Sequence, residues 1–402
     1  MRAGANAGTG ASRPRNRKEM ILQAATELFV REGYHRTAMG DIAATLGITS
    51  TALYRHYRNK QELLARSLLD GLDLVRSAIT GAVEADDQLG TLIDALTALS
   101  LEHRGRAALW QRELRHLPDE DRRAATARLA NANDQVRSVI MAARPELDED
   151  DAELLTWCLG AVFESVSYHR VLMSRDRFAA LLTELAFRAV RADLPQGRRN
   201  ACGIELDEAH RVGLHDLSDQ MSRRERLIAV ATQLFDRRGY AAVGIEDIGA
   251  AAGITGPSVY YHFQSKAELL TEIVERGAKA IDYYIAKAVA EGKNPADTLE
   301  RMARYYALFA HVQRDLVGVI VGEVIHLPPD AAARYRDVQR EGIMRWTAAL
   351  RAVRPELDAG SARVTIQAVI MAVNDAVRLP QLTRRPHLVD ELVAVSMAMM
   401  AT

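Results

Sequence analysis

The sequence predicts an all-α protein in which one helical unit occurs twice. Three observations lead to this prediction. Apolar residues recur at helical spacing, no stretch keeps the period-two alternation of a half-buried strand, and one residue pattern appears twice. The first stretch shows the spacing, with apolar side chains at Ile21, Leu22, Ala25, Leu28 and Phe29.

The repeated pattern has a constant offset. Residues 17–71 and 223–277 align without gaps at an offset of 206 and share 22 of 55 residues. We call these two segments head 1 and head 2. Similarity weakens afterwards and returns at an offset of 210, where His116-Leu-Pro matches His326-Leu-Pro. The sequence therefore indicates duplication of a whole unit, a head followed by a second helical part.

This duplication predicts five segments along the chain. The stretch between the two units is polar and begins with a proline, which is typical of a linker. The predicted segments are 13–71 and 222–277 for the two helix-turn-helix domains, 72–194 and 278–402 for the helical domains that follow them, and 195–221 for the linker.

The composition is that of an ordinary globular protein, with 48% hydrophobic and 26% charged residues. The formal net charge of -1 gives no global positive field, so a DNA-binding surface must arise from local segregation of charge. The two cysteines, Cys158 and Cys202, lack the spacing of a zinc ribbon or a disulfide framework. Because no 18-residue apolar run and no signal peptide are evident, we expect a cytoplasmic protein without a membrane span.

Within head 1 the pattern predicts a helix-turn-helix. A long helix should end at Gly33, a typical glycine position after a helix. Short helices are expected over 39–46 and 49–57, separated by a turn at 47–48, with Thr49 as the N-cap of the second. A longer helix should open at Asn59 or Lys60.

The second short helix should bury one face and expose the other. Leu53 and Tyr57, four residues apart, share the buried face, as do Val259 and Phe263 in head 2. The exposed face carries groups that suit phosphates and base edges in a major groove. Its members are Ser50, Thr51, Tyr54, Arg55 and Arg58 in head 1, and Gly256, Pro257, Tyr260, Tyr261 and Gln264 in head 2.

Both heads resemble the DNA-binding domain of TetR-family regulators. The specific part is Tyr54-Arg-His56-Tyr57 followed by Lys60, and Tyr260-Tyr-His262-Phe263 followed by Lys266. The resemblance implies that the tyrosine, histidine and lysine hold backbone phosphates of double-stranded operator DNA, while residues that open the recognition helix read bases. For the tyrosine and the histidine, simple packing is the alternative. The predicted DNA-contacting residues are Thr37, Thr49, Ser50, Thr51, Ala52, Tyr54, Arg55, His56 and Lys60 in head 1, and Thr255, Gly256, Pro257, Ser258, Tyr260, Tyr261, His262 and Lys266 in head 2.

The heads also differ in ways that matter for DNA. Thr37 can cap the first short helix of head 1, whereas head 2 has Val243-Gly244 there, so we expect weaker capping in head 2. Residues 13–66 carry ten basic and five acidic residues, and residues 219–272 carry six and seven. Head 1 should therefore bind DNA more strongly. A basic arm over 13–18 is expected either to touch DNA or to stay solvated.

The remaining parts of each unit look like ligand-binding and dimerisation bundles. The resemblance implies a homodimer whose last two helices form a four-helix interface, which a tandem chain can make within itself as a pseudo-dimer; association of two whole chains stays open. It also implies an unidentified small hydrophobic effector, with acyl compounds among the candidates, and no cofactor. Aromatic residues that could line a pocket, with core packing as the alternative, are Trp110, Trp157, Phe163, Tyr305, Phe309 and Trp346.

Other classes of function are weaker. Glu113-x-x-His116 and Glu323-x-x-His326 repeat the spacing of di-iron carboxylate bundles. Both histidines precede Leu-Pro at a helix end, so we favour solvated polar residues and expect no metal site. No phosphate loop, nucleophile elbow or catalytic triad order is evident, and we expect no enzyme. A further alternative makes one half an adaptor that recruits a protein.

Overall fold

A computed structural model describes residues 14–195 and 222–401, and these ranges are helical without any strand. None of the helices in these ranges is long and apolar enough to cross a membrane. Most of the predicted linker, from residue 196 on, lies outside the described residues, and so do Arg13 of the predicted basic arm and Thr402.

Within residues 14–195 and 222–401, nine α-helices of the first half have nine counterparts in the second. The first half contains α1 (Pro14–Glu32), α2 (Met39–Thr45), α3 (Ser50–Tyr54), α4 (Lys60–Val83), α5 (Gln88–Glu102), α6 (Arg106–Glu113), α7 (Asp119–Ala143), α8 (Glu149–Glu164) and α9 (Arg175–Val190). The second half contains α10 (Arg223–Arg238), α11 (Ile245–Ala251), α12 (Gly256–Val259), α13 (Lys266–Glu291), α14 (Pro295–Val312), α15 (Arg314–Gly322), α16 (Pro329–Val353), α17 (Ala359–Ala376) and α18 (Leu388–Met400).

The helices that follow each head form body 1 (72–195) and body 2 (278–401). The predicted boundaries after residues 71 and 277 fall inside α4 and α13, so each of these helices runs from a head into its body. The domain limits stay a prediction, because one continuous helix belongs to both parts.

Local chemistry sets the ends of the short helices in head 1. Gly33 and Gly47 have φ values of +85° and +62°, a region that favours glycine, and each follows a helix as predicted. The Thr49 hydroxyl accepts the N–H of Ala52, which confirms it as an N-cap. α3 ends at Tyr54, earlier than predicted, and a turn at 55–56 leads to Asn59, the N-cap of α4.

The prediction of a weaker cap in head 2 is wrong. Asp41 accepts the backbone N–H of Ala38 at 2.7 Å, and Asp247 accepts that of Gly244 at 2.8 Å. The aspartate at the equivalent position therefore caps each helix, Asp41 at the start of α2 and Asp247 at the start of α11. Thr37 does not cap α2, because its hydroxyl is buried and donates to a carbonyl at the end of α1. That burial also argues against the predicted contact of Thr37 with DNA.

The apolar core is continuous through most of the molecule. It joins body 1, body 2 and head 2, including Phe235 and Phe263 of head 2. Head 1 has a core of its own, in which Phe29 and Leu53 pack with Leu109 of α6. Head 2 is therefore built into the common core, whereas head 1 packs as a separate cluster.

Four helices join the two halves. α8 and α17 pack against each other through mainly apolar side chains, and α9 packs against α18. Polar contacts lie around them: Arg385 pairs with Asp151 at 2.5 Å, and Arg177 pairs with Asp358. The last two helices of each half thus meet within one chain.

Candidate nucleic-acid interface

Head 1 presents α3 with one face buried and the other open. Leu53 is fully buried, whereas Ser50, Thr51 and Arg55 are exposed. Tyr54 is 52% exposed, so about half of its surface is open to solvent. The open face therefore offers hydroxyl and guanidinium groups together, as groove recognition needs.

Head 2 presents a shorter helix with different chemistry. Tyr260 and Tyr261 are 54% and 89% exposed, and Pro257 is also exposed. Thr255 and Ser258 share a hydrogen bond between their hydroxyls at 2.8 Å. Head 2 has the aromatic Tyr261 at the position where head 1 has the cationic Arg55. The two heads therefore present different chemical groups to a DNA groove.

Several predicted contacts are only partly open. Ala52, His56, Ser258 and His262 are half-buried, and Gly256 is half-buried at the start of α12. Their contact with DNA stays a prediction.

Lys60 and Lys266 hold the turns of their own heads. The Lys60 amine donates to the carbonyls of Tyr34 and Thr37 at 2.8 and 2.9 Å. The Lys266 amine donates to the carbonyls of Tyr240 and Val243 at 2.8 and 2.7 Å. Burial lowers the pKa of both lysines. Contact with a phosphate stays a prediction, because two of the three donors of each amine are engaged inside the head.

A buried glutamate ties each body to its head. Glu113 and Glu323 are only 5% and 1% exposed. Glu113 accepts the backbone N–H of Tyr34 at 3.2 Å, and Glu323 accepts that of Tyr240 at 3.0 Å. Burial raises the pKa of Glu113. The prediction of solvated helix-end residues is therefore wrong, since both carboxylates hold the turn after the first helix of a head.

The accompanying histidines pack on the same tyrosines. The His116 ring stacks on Tyr34 with centroids 5.6 Å apart, and His326 stacks on Tyr240 at 5.1 Å. Burial lowers the pKa of His116 to about 3 and that of His326 to about 4, so both rings are neutral near pH 7. Among the described residues, no three His, Cys, Asp or Glu side chains form a group that could hold a metal ion.

The two buried glutamates receive their countercharges differently. Arg112 places Nε 4.0 Å from a Glu113 oxygen within the same half. The position equivalent to Arg112 is Gly322, so body 2 lacks that cation. Arg115 of body 1 crosses over and forms an ion pair with Glu323. The first half thus neutralises a carboxylate of the second.

The contact that the second half makes with head 1 is apolar. Ile325 is the equivalent of Arg115, and its Cδ1 lies 3.5 Å from the place of a Cβ on Gly33. Arg115 lies against Gly239, where a Cβ would come within 2.9 Å of Nε. Each head therefore carries a glycine at the point where the other half touches it. Sequence reasoning missed this contact, although the glycines and the glutamates are all repeated.

The predicted pocket aromatics lie in the protein interior. Tyr305, Phe309 and Trp346 are almost fully buried in the common core, and Trp110 packs on the core of head 1. Phe163 is buried, and Trp157 is half-buried against the common core. A cleft of about 1090 Å³ opens elsewhere, between head 1, body 1 and body 2, and none of the six aromatics lines it.

Comparisons with known proteins match both heads. The profile described as "Bacterial regulatory proteins, tetR family" matches residues 21–66 and 227–273. The HTH-type transcriptional repressor KstR2 of Rhodococcus jostii RHA1 is 32% identical over 112 residues, which are 28% of this chain and 55% of that protein. The probable HTH-type transcriptional regulator ArpR of Pseudomonas putida is 37% identical over 75 residues, 19% of this chain and 35% of that protein.

The comparison with solved structures matches part of the chain. A TetR-family transcriptional regulator from Bordetella parapertussis 12822 is 21% identical with a TM-score of 0.41, covering 44% of this chain and 93% of the other. The chain matches 55% of the length of the Rhodococcus repressor and 35% of the length of the Pseudomonas regulator.

Proposed function

This chain belongs to the TetR family through both of its heads, and on that premise we propose that it is a sequence-specific DNA-binding transcriptional regulator with two non-identical reading heads. The observation that carries the proposal is the pair of recognition helices, α3 and α12, each with a buried apolar side and an open polar side. The pseudo-dimer formed by α8, α9, α17 and α18 is the unit that presents them to one operator.

The finer assignment is a repressor released by a small hydrophobic ligand, without an enzymatic activity, working on DNA in the cytoplasm. The curated relatives described above are a transcriptional repressor and a probable transcriptional regulator, which supports regulation over catalysis. Lys60 and Lys266 act in this proposal mainly by fixing the turn that precedes α2 or α11, so that the exposed tyrosines meet the phosphates.

The sequence of the operator that the chain selects tests the proposal directly. At base-facing positions the heads share no residue, with Ser50, Thr51 and Arg55 replaced by Gly256, Pro257 and Tyr261. A selected-site binding assay on the intact chain should recover two different half-sites, about 34–36 Å apart or a multiple of that spacing. Recovery of a perfect inverted repeat would show that two chains pair like heads, and it would contradict the proposal.

Binding to the same operator DNA also tests which head contributes more of the affinity. Because head 1 and its arm carry more positive charge, head 1 should supply more of the affinity, and Tyr54→Ala should weaken binding more than Tyr260→Ala. Equal losses for the two variants, measured by anisotropy at two salt concentrations, would overturn this ranking.

A further inference from the structure

Two carboxyl groups, one from each half, meet where α8 packs against α17. Glu164 is the last residue of α8, and Asp375 lies in the last turn of α17. Asp375 is buried, and Glu164 is half-buried. The side-chain amide of Gln111 in α6 bridges them, because its nitrogen donates to one oxygen of each carboxyl group at 3.0 Å. These three side chains therefore join α6, α8 and α17 at one point.

The two carboxyl groups also lie within hydrogen-bond reach of each other. Ionised carboxylates only accept hydrogen bonds, so a bond between Glu164 and Asp375 needs a proton on one of them. Burial raises the pKa of both groups, and the negative charge of Glu164 raises the pKa of Asp375 further. Two like charges at this distance resist ionising together, and the pair then titrates as a unit.

One cation accompanies the pair. Arg378 lies two residues beyond the end of α17, and its guanidinium donates to the Gln111 oxygen at 2.9 Å, which orients the bridging amide. Arg378 lowers the pKa of Glu164 and of Asp375, but by less than burial raises it. A single positive charge balances a single negative charge, and that is the charge of a carboxyl pair that holds one proton.

The other titratable groups near the pair are neutral or engaged in ion pairs. Tyr168 and Cys158 face the pair from the first half, and burial together with its negative charge raises the pKa of both side chains. Both are therefore neutral near pH 7. Arg385, which acts on Cys158, pairs with Asp151 and Glu391. Arg378 thus remains the cation that balances the pair.

The pair occurs at only one of the two equivalent places. The positions at an offset of 210 carry uncharged side chains: Asn374 for Glu164, Ser165 for Asp375 and Val321 for Gln111. In a dimer of identical subunits every residue would occur twice around the axis. The fused chain instead brings two unlike carboxyl groups together once, and only α6 supplies an amide to them.

Helix α6 connects the pair to head 1. Next to Gln111, Arg112 donates to the carbonyls of Phe29 and Val30 at the end of α1, at 3.3 and 2.8 Å. If both carboxyl groups were ionised, their repulsion would move them apart, and one amide could no longer bridge both. The protonation of the pair therefore governs how firmly α6, and head 1 with it, is attached to α8 and α17.

We propose that Glu164 and Asp375 share one proton and act as a proton-dependent latch that holds α6 and head 1 against the junction of the two halves. The latch is closed while the proton is bound and opens when a rise in pH removes it. Because folding raises the pKa of the pair, the folded chain keeps a proton that the unfolded chain releases. The stability from the latch is present at low pH and is lost as pH rises through the raised pKa. The proposal does not depend on DNA binding.

Counting protons tests whether the pair shares one. The intact chain is used with Asp236→Asn, because Asp236 lies near Arg378 and also has a raised pKa. At pH 7, unfolding in urea should release about one proton more from this chain than from the same chain with Asp375→Asn or with Glu164→Gln. Either amide keeps the shape of the pair but holds no such proton. Asp337→Asn, at an exposed ion pair, is the control and should release as many protons as its parent.

Hydrogen exchange tests the latch itself. Raising the pH from 7 to 9 should lower the protection of amides in α6 and in the turn after α1 by about fivefold or more, whereas the Asp375→Asn chain should keep its protection. The turn after α10 is the internal control, because Val321 offers no amide to the pair. Unchanged proton release in both amide variants would overturn the proposal. So would undiminished protection at pH 9, or an equal loss in the Asp375→Asn chain or in the turn after α10.

Discussion

Arg55 is the side chain of α3 best suited to reading a base. It is exposed next to Tyr54, and a guanidinium can bond guanine O6 and N7 together. Arg55→Ala should lower the preference for guanine in one half-site by about 1–3 kcal/mol and leave the other half-site unchanged. Competition binding with half-site variants measures this.

The matched control is Tyr261→Ala, the equivalent substitution in head 2. It should alter the other half-site only. If Arg55→Ala weakens all sequences equally, then Arg55 holds a phosphate and does not read a base.

Asp236 makes stability depend on pH. Burial against α15 raises its pKa to about 6; nearby Asp315 adds to this, while Arg378, Arg115 and Arg237 oppose it. Between the ordinary aspartate pKa and about 6, the folded protein holds a proton that the unfolded chain has released, so the unfolding free energy falls as pH rises.

Asp236→Asn should therefore increase the unfolding free energy at pH 8 by about 1–3 kcal/mol, and by little at pH 4. Urea unfolding at both pH values measures the difference. Asp337→Asn, at an exposed ion pair on α16, is the control. An equal gain at both pH values would show that Asp236 is not protonated in the folded state.

At the scale of elements, the glutamate ties connect each body to its head. Glu113→Ala should free the N–H of Tyr34 and cost about 1.5–3 kcal/mol locally, as expected for a hydrogen bond to a charged group. Hydrogen exchange should speed up in the turn between α1 and α2. Glu323→Ala should do the same between α10 and α11.

Glu341→Ala, at an exposed position of α16, serves as the control and should change neither turn. If each substitution raised exchange in both heads alike, the ties would not be local, and the contacts of Tyr34 and Tyr240 would have to be explained through the whole core.

Sequence patterns predicted what depends on near neighbours. The end of α1 at Gly33, the cap of Thr49 and the buried pair Leu53 and Tyr57 all follow from spacing over a few residues. The tie from Glu113 to head 1 spans 79 residues, so no local pattern predicts it. The cleft was equally out of reach, because it depends on how head 1 packs on the second half.

In the candidate site, too, the sequence predicted features that depend on near neighbours and missed contacts between distant residues. Exposure of Tyr54, Arg55 and Tyr260 followed from the helical wheel. The buried state of Thr37 did not, since its hydroxyl reaches back to the end of α1. The inward bonds of Lys60 were also missed, because carbonyls 23 and 26 residues away accept them.

At the scale of the molecule, Arg115 makes the two halves unequal partners. Arg115→Ile introduces the residue type found at the equivalent position of the second half, Ile325. It leaves Glu323 buried without its cation. Removing one member of a buried ion pair costs about 3–5 kcal/mol. Thermal unfolding of the intact chain should show this loss, together with faster exchange in head 2.

Adding Glu323→Gln to Arg115→Ile should recover much of the loss, because the uncompensated charge disappears. Arg122→Gln, at an exposed ion pair, is the control with little effect. A double variant no more stable than Arg115→Ile alone would mean that the guanidinium acts through its packing on Gly239 and not through its charge.

The packing of α8 and α9 on α17 and α18 joins two heads that one polypeptide carries. A regulator assembled from separate subunits loses its active form on dilution, because association depends on protomer concentration. In the fused pseudo-dimer the second head is always present at high effective concentration. Under the proposed binding of one chain to one operator, occupancy should rise with the first power of protein copy number, so that even a small number of molecules binds as the complete two-headed form.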